Sequence, residues 1–281
     1  MRVAFYASDK PREQILARAF ISGVVRQGDE GRIISRGAFK GSVGKFDVVG
    51  FYGVKSLKLF DAHREADIHT LMFDKGYIRR GLGGTGREYT RVAVDGHHPN
   101  LSLKRYPKDR FERIGLGLSS WRKKGRHIVI FGSSAKYHNF YGLPGPTVYA
   151  EAVVRVLRQY TDRPIIYRPK PSWREAQPVE GAGYSPAREP LADVLSGAWA
   201  VVTHGSNACF EAILSGIPCI VLGRAIARPI SSTRLSDIER PRLALIRDRR
   251  QWFNNLAYHQ WTLSEFTSGQ AWEVMRCEIS L

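Results

Sequence analysis

The sequence predicts an α/β protein built as two parallel-sheet halves. Three observations carry that expectation. Short, near-continuous apolar runs alternate with longer amphipathic segments, the alternation breaks once in a basic stretch, and it then restarts. With 281 residues, 43% of them apolar, the chain can bury one large core or two modest ones without disulfide or metal staples.

In the first half, Val3–Ala7, Arg32–Ser35, Asp47–Phe51, His69–Phe73 and Thr90–Val94 read as strands. Arg12–Gln27 reads as a helix, because Ile15, Leu16, Ala19, Phe20 and Val24 recur at helical spacing, and Ser56–Ala66 reads as a shorter one. From His97 to Arg126 the rhythm stops. Nine Lys or Arg stand there against two Asp or Glu, with Tyr106, Phe111 and Trp121 interspersed, and the stretch reads as a basic connector. The pattern resumes with a strand at His127–Phe131, a helix at Thr147–Tyr160, a strand at Pro164–Tyr167 and a short helix at Leu191–Ser196. Ala198–Thr203, Asn207–Ser215 and Pro218–Leu222 form a strand–helix–strand unit, and the aromatic-rich stretch Arg249–Val274 reads as helical.

Charge narrows the partners. Lys and Arg number 43 against 26 Asp and Glu, a formal +17, which excludes an acidic chain and favours polyanions. Cys209, Cys219 and Cys277 are too few for a disulfide framework and include no C-x-x-C pair, so a reducing cytoplasm is expected. No run approaches the ~18 apolar residues of a membrane span.

Gly81-x-Gly83-x-x-Gly86 matches the dinucleotide fingerprint in letters, but a strand-like run follows it where a helix is required, so it reads as a loop. The block Val201–Gly223 is more informative. A buried strand ends in the small polar turn His204-Gly205-Ser206-Asn207, which opens a helix and can present backbone N–H groups to a phosphate. Glu211, one turn further on, can accept hydrogen bonds from ribose hydroxyls. An ordinary strand–helix–strand unit with Ser206 or Asn207 as helix cap fits the same residues. Tyr167-Arg-Pro-Lys-Pro-Ser-Trp173 closes a strand, and the spacing of Arg168 and Lys170 places both cations on one side, suited to a diphosphate. Ser133 and Ser134, after the first strand of the second half, are further donor contacts or a plain turn. Asp95-Gly-His-His98 offers no third ligand, and no metal is expected.

The Val201–Gly223 block, with its Gly-x-Pro and the following Gly223-Arg-Ala225, resembles the donor-site signature of GT-B glycosyltransferases, most closely those of the capsule-polysaccharide type. Asp74-Lys-Gly-Tyr-Ile-Arg79 resembles a second element of those enzymes, which carry Glu where this chain has Asp74. The Tyr167–Trp173 element and Trp252-x-Asn-Asn-Leu-Ala-Tyr-x-Gln-Trp-Thr262 resemble a bacteriophage group associated with DNA-base glycosyltransferases. Together these elements touch about a third of the chain.

The resemblance implies a GT-B-like fold of two Rossmann-like halves with a cleft between them: an acceptor-side domain over 1–115, and a nucleotide-sugar domain over 116–281 whose terminal helix returns to the first half. It implies a metal-independent hexosyltransferase with no cofactor, using a nucleotide-sugar co-substrate such as UDP-glucose. Arg168, Lys170, His204, Gly205, Ser206, Asn207 and Glu211 would hold the donor, with Ser133 and Ser134. Asp74 would be the general base, with Asp9 and Asp95 as rivals. The expected acceptor is a hydroxymethylated pyrimidine, such as 5-hydroxymethylcytosine, in double-stranded DNA, bound through Lys104, Arg105, Lys108, Arg110, Arg122, Lys123 and Lys124, with the run Arg224–Arg250 adding charge. A monomer in the cytoplasm, a host's if the chain is viral, completes the expectation. Surface-polysaccharide synthesis and non-catalytic DNA binding are the alternatives.

Overall fold

A computed structural model describes residues 1–54, 57–78, 88–102 and 104–280. The chain runs β1 (Arg2–Ala7), α1 (Pro11–Arg26), β2 (Glu30–Ser35), β3 (Val48–Tyr52), α2 (Leu57–Glu65), β4 (His69–Lys75), β5 (Thr90–Val94) and α3 (Asp109–Ile114). It continues through β6 (His127–Phe131), α4 (Ala135–Phe140), α5 (Pro146–Leu157), β7 (Ile165–Arg168), β8 (Gly183–Tyr184), α6 (Leu191–Leu195), β9 (Ala198–Thr203), α7 (Cys209–Leu214) and β10 (Cys219–Val221). The last elements are α8 (Ile246–Ala257), β11 (Gln260–Trp261), α9 (Leu263–Ser268) and α10 (Gln270–Ile279). Two compact units result, residues 1–110 with 254–281, and residues 111–253. Among the described residues no helix is long and apolar enough to cross a membrane.

The first unit holds a six-stranded sheet in the order β11-β5-β4-β3-β1-β2, in which β5 and β11 run antiparallel to their neighbours and the others are parallel. β3 is buried at every position, as a central strand covered on both faces must be. α1 starts at Pro11, where a missing N–H is harmless, and turns Leu16, Ala17, Phe20 and Val24 inward. At Gly23 a side chain would lie 2.0 Å from the Phe266 carbonyl, so glycine lets α9 pack directly on α1. Phe5, Phe20, Phe73, Phe266 and Trp272 form the centre of this core, with the Phe73 ring 5.0 Å from both Phe5 and Phe20.

The single helical stretch expected over Arg249–Val274 is a correction: it divides into most of α8, β11, α9 and the first half of α10. A Thr262–Glu265 capping box starts α9 afresh, and Gly269 at φ 90° ends it. Neither break disturbs the hydrophobic spacing, so periodicity alone runs through them.

The second unit is a five-stranded, all-parallel sheet in the order β10-β9-β6-β7-β8. Numbered along the chain from β6, this is the 3-2-1-4-5 order of Rossmann sheets, with the reversal between β6 and β9. Its core joins Ile128, Ile130, Val202 and Ile220 from the strands to Val153, Val154 and Leu157 of α5. Val148 and Val156, at helical apolar spacing in the sequence, are exposed, because Ala150, Val153, Val154 and Leu157 form the buried face of α5.

Candidate functional site

An open parallel sheet binds ligands at the carboxyl ends of the strands that flank its reversal point, because the connections there leave toward opposite faces. In the second unit those strands are β6 and β9, and they lead into Gly132-Ser133-Ser134 and His204-Gly205-Ser206-Asn207. Thr203 ties them together: its Oγ1 donates to the Phe131 carbonyl at 3.0 Å and accepts the Ser206 N–H at 2.9 Å. Gly132, Ser133, Thr203, His204, Tyr149 and Leu222 line a narrow crevice there. Ser133 is buried, whereas Ser134, Ser206, Asn207 and Glu211 are half-buried.

His204 is held firmly. Its Nδ1 lies 2.7 Å from the Tyr149 hydroxyl, and Tyr137 and Tyr141 also pack around the ring. Burial pushes the Tyr149 hydroxyl up to about 12, so it stays protonated. Its proton has no other acceptor among the described residues, which leaves the His204 proton on Nε2. Burial, with His138 and Arg228 nearby, lowers the His204 pKa and keeps the ring neutral. Gly205 is required here, since a Cβ would fall 1.7 Å from the Tyr137 hydroxyl.

Two expectations for this unit need correction. α7 begins at Cys209 and spans six residues, so Ser206 and Asn207 lie in the preceding turn; Ser206 Oγ accepts the Ala208 N–H at 3.3 Å. Arg168 and Lys170 do not share a side. Lys170 is exposed beyond the end of β7, while Arg168 is buried and gives 2.7 Å bonds to Ser185 Oγ and the Glu189 carbonyl and a 3.3 Å bond to Pro186. Strand alternation ends with the strand, and the guanidinium is committed to the 185–189 segment.

In the first unit, Asp74 stands at the carboxyl end of β4, directly opposite Arg91 in the antiparallel register with β5. Arg91 is fully buried and organises the surroundings. One of its terminal nitrogens donates to Asp74 Oδ2 at 3.1 Å and His97 Nε2 at 2.8 Å, the other to the Tyr77 hydroxyl at 2.9 Å and His98 Nδ1 at 2.7 Å. Asp74 Oδ1 accepts the Lys75 N–H at 2.7 Å. Burial alone would raise the Asp74 carboxyl, but Arg91, the Lys75 N–H and His97 outweigh it and hold it below the ordinary aspartate value. The result is a fixed, ionised, partly exposed carboxylate.

The adjacent histidines therefore serve as acceptors for Arg91, and among the described residues no group of His, Cys, Asp or Glu is placed to hold a metal. Of the rivals to Asp74, Asp95 lies at the opposite end of β4, bonded to His69 Nδ1 and the Thr70 N–H at 2.7 Å each, and Asp9 is exposed after β1. Sequence reasoning missed Arg91, Tyr77, His97 and His98 as a group; the resemblance element containing Asp74 and Tyr77 was the signal available. Arg79 of that element and the Gly81–Gly86 loop lie outside the described residues.

The seven cations expected to contact DNA divide between the units. Lys104, Arg105, Lys108, Lys123 and Lys124 are exposed. Arg110 is a correction: buried, it donates to the Ala257 and Gln260 carbonyls at 3.0 Å and to Glu265 at 2.6 Å, with its guanidinium 3.9 Å from the Trp261 ring centre. Arg122 is the second, half-buried and donating to the Leu195 and Ala198 carbonyls at 2.8 and 3.2 Å. The basic stretch is thus partly core, as buried Tyr106 and Phe111 also show.

The two sheets define a GT-B-type α/β fold, and solved structures bear this out. The chain is similar to Thermosulfurimonas dismutans KpsC, beta Kdo 2,4 transferase, at 14% identity and a TM-score of 0.55, over 93% of this chain and 92% of that one. It is similar to the beta Kdo 2,7 transferase of the same protein at 13% identity and a TM-score of 0.56, over 98% of this chain and 100% of that one. At such identity the likeness is one of fold. No protein-family model and no curated protein sequence matches the chain.

Proposed function

We propose that the protein is a glycosyltransferase that uses a nucleotide-sugar held at the β6/β9 crevice. The observation that carries this reading is the likeness of fold, over nearly the whole of both chains, to two sugar transferases. The crevice supports it with hydroxyls, a neutral imidazole N–H and backbone turns at the place where Rossmann sheets take nucleotides. Asp74 takes the proton of the acceptor hydroxyl, and the acceptor oxygen forms its bond to the anomeric carbon. The bond from that carbon to the phosphate breaks, and the nucleotide leaves with the electron pair. Direct displacement inverts the anomeric configuration, and the step uses no metal.

For the acceptor, we propose a hydroxymethylated pyrimidine in DNA, a reading supported by the net charge of +17 and by exposed Lys104, Arg105, Lys108, Lys123 and Lys124. A second reading, transfer to a surface polysaccharide, is favoured by the likeness to the two Kdo transferases. The test is nucleoside mass spectrometry after incubation with DNA containing 5-hydroxymethylcytosine, 5-hydroxymethyluracil or neither, against a panel of UDP-, GDP- and CMP-sugars. A sugar-sized mass gain on one modified base establishes the first reading. No gain on any DNA, with transfer to an anionic glycan, establishes the second. No transfer to either, with no nucleotide binding, refutes the enzyme.

A further inference from the structure

Three segments of the second unit converge on Gly223, just beyond β10. Its N–H donates to the His204 carbonyl at 3.0 Å, which fastens the end of β10 to the turn after β9. Its carbonyl accepts Arg228 Nη1 at 3.4 Å, and the Val221 carbonyl accepts the same nitrogen at 3.4 Å. The space its side chain would fill is taken by the His204 ring, since a Cβ would lie 2.1 Å from Nε2. One glycine therefore brings an imidazole and a guanidinium together at the carboxyl ends of adjacent strands, where Val221 pairs with Thr203.

Arg228 differs from the arginines of this unit that are committed to protein partners. Arg168 is committed to the 185–189 segment, Arg163 to Glu239, and Arg249 is buried against Trp121. Arg228 is exposed, and its two bonds are long and go to neutral carbonyls. Among the described residues no carboxylate pairs with it, and its Nε and Nη2 have no partner. Its backbone is nevertheless set, because the Arg228 N–H donates to the Ala225 carbonyl at 3.0 Å and Pro229 follows in a short 3-10 turn. The result is a cation carried on a set backbone, with unused donors, beside a neutral imidazole whose proton is on Nε2.

We propose that Arg228 and His204 form the anion subsite that holds a phosphate of the donor, in the place expected of Arg168. This rests on the reading of the protein as a nucleotide-sugar enzyme and names the residues that do the holding. Arg228 supplies charge and a forked donor to phosphate oxygens, and His204 supplies one neutral N–H. Both are suited to the negative charge that the leaving nucleotide gains as the anomeric bond breaks.

The test is calorimetric titration of the full chain and of Arg228→Gln. The ligands are the nucleoside diphosphate the unsubstituted protein binds most tightly, chosen among UDP, GDP, CDP and TDP, and the corresponding nucleoside. The expected result is a loss of tenfold or more in diphosphate affinity and no change for the nucleoside. Gly223→Ala, which drives a methyl group into the His204 ring, should show the same selective loss. Equal diphosphate affinity in the two proteins overturns the proposal. Equal loss for diphosphate and nucleoside also overturns it, because Arg228 would then only support the fold. If the unsubstituted protein binds none of the four diphosphates, the same comparison is made with CMP against cytidine, and no binding of CMP either means that the enzyme reading itself fails.

Discussion

Replacing Arg168 with methionine should destabilise the protein and leave donor affinity nearly intact. Two bonds of 2.7 Å, to Ser185 Oγ and the Glu189 carbonyl, have ideal length and a charged donor, and the bond to Pro186 at 3.3 Å is weaker. A bond with a charged partner contributes about 1.5–3 kcal/mol. Two strong bonds lost would cost roughly 3–6 kcal/mol. Methionine keeps most of the stem's packing and removes the cost of burying a charge, so a net loss of about 2–4 kcal/mol is expected. Ser185→Ala, which removes one acceptor, should cost about 1–2 kcal/mol. Urea denaturation followed by tryptophan fluorescence measures both, and nucleotide titration below the transition measures affinity. Unchanged stability with a tenfold loss of affinity would refute the reasoning and make Arg168 a donor contact.

Asp74→Asn should lower turnover by about 10²–10⁴ without weakening nucleotide binding, as measured by initial rates and titration, since it removes the proposed base and keeps the shape. The pH dependence of kcat/KM should follow from the same carboxylate. Because the Asp74 pKa is held below its ordinary value, the rate should fall only as pH drops through that lowered pKa, and Arg91→Met should move this acid limb to higher pH. An unmoved limb would mean that Arg91 does not set the ionisation of the base. Arg110→Ala should destabilise the protein by about 3–5 kcal/mol, the scale for breaking one side of a buried ion pair. Lys123→Ala with Lys124→Ala should leave stability unchanged and reduce the salt slope of DNA binding by about two, read by fluorescence anisotropy against salt.

How far the sequence discloses these features depends on how local each one is. The alternation of apolar runs with amphipathic segments is a property of neighbours, and it leads to both sheets and to the turn after β9, but not to the antiparallel course of β5 and β11 in the first sheet. Arg91 could not be read this way, because its place beside Asp74 comes from the antiparallel pairing of β4 and β5. Tyr149 and His204 meet across 55 residues through the packing of α5 on the sheet. Arg168 shows the same limit from the other side. Its spacing to Lys170 is correct for an extended strand, but the strand ends at Arg168 and the segment that consumes its donors lies 17–21 residues away. Gly223 falls between these cases: the glycine is evident in the motif, and its reason is evident only once the His204 ring is seen in its place.

The buried arginines also bear on the acceptor. Arg91, Arg110, Arg168 and Arg249 count fully toward the +17, yet each is enclosed by carbonyls, hydroxyls, carboxylates or aromatic rings of the protein. Their charges still add to the long-range field, which draws in DNA and anionic glycans alike and weakens with salt. Contact is different, because only side chains with donors left over can discriminate one polyanion from another. Choice of acceptor then falls to exposed groups, Lys104, Lys123 and Lys124 among them. Substituting these should change which polymer is used while the β6/β9 crevice keeps its structure. A protein in which acceptor preference followed net charge alone would instead lose affinity for every polyanion in equal proportion.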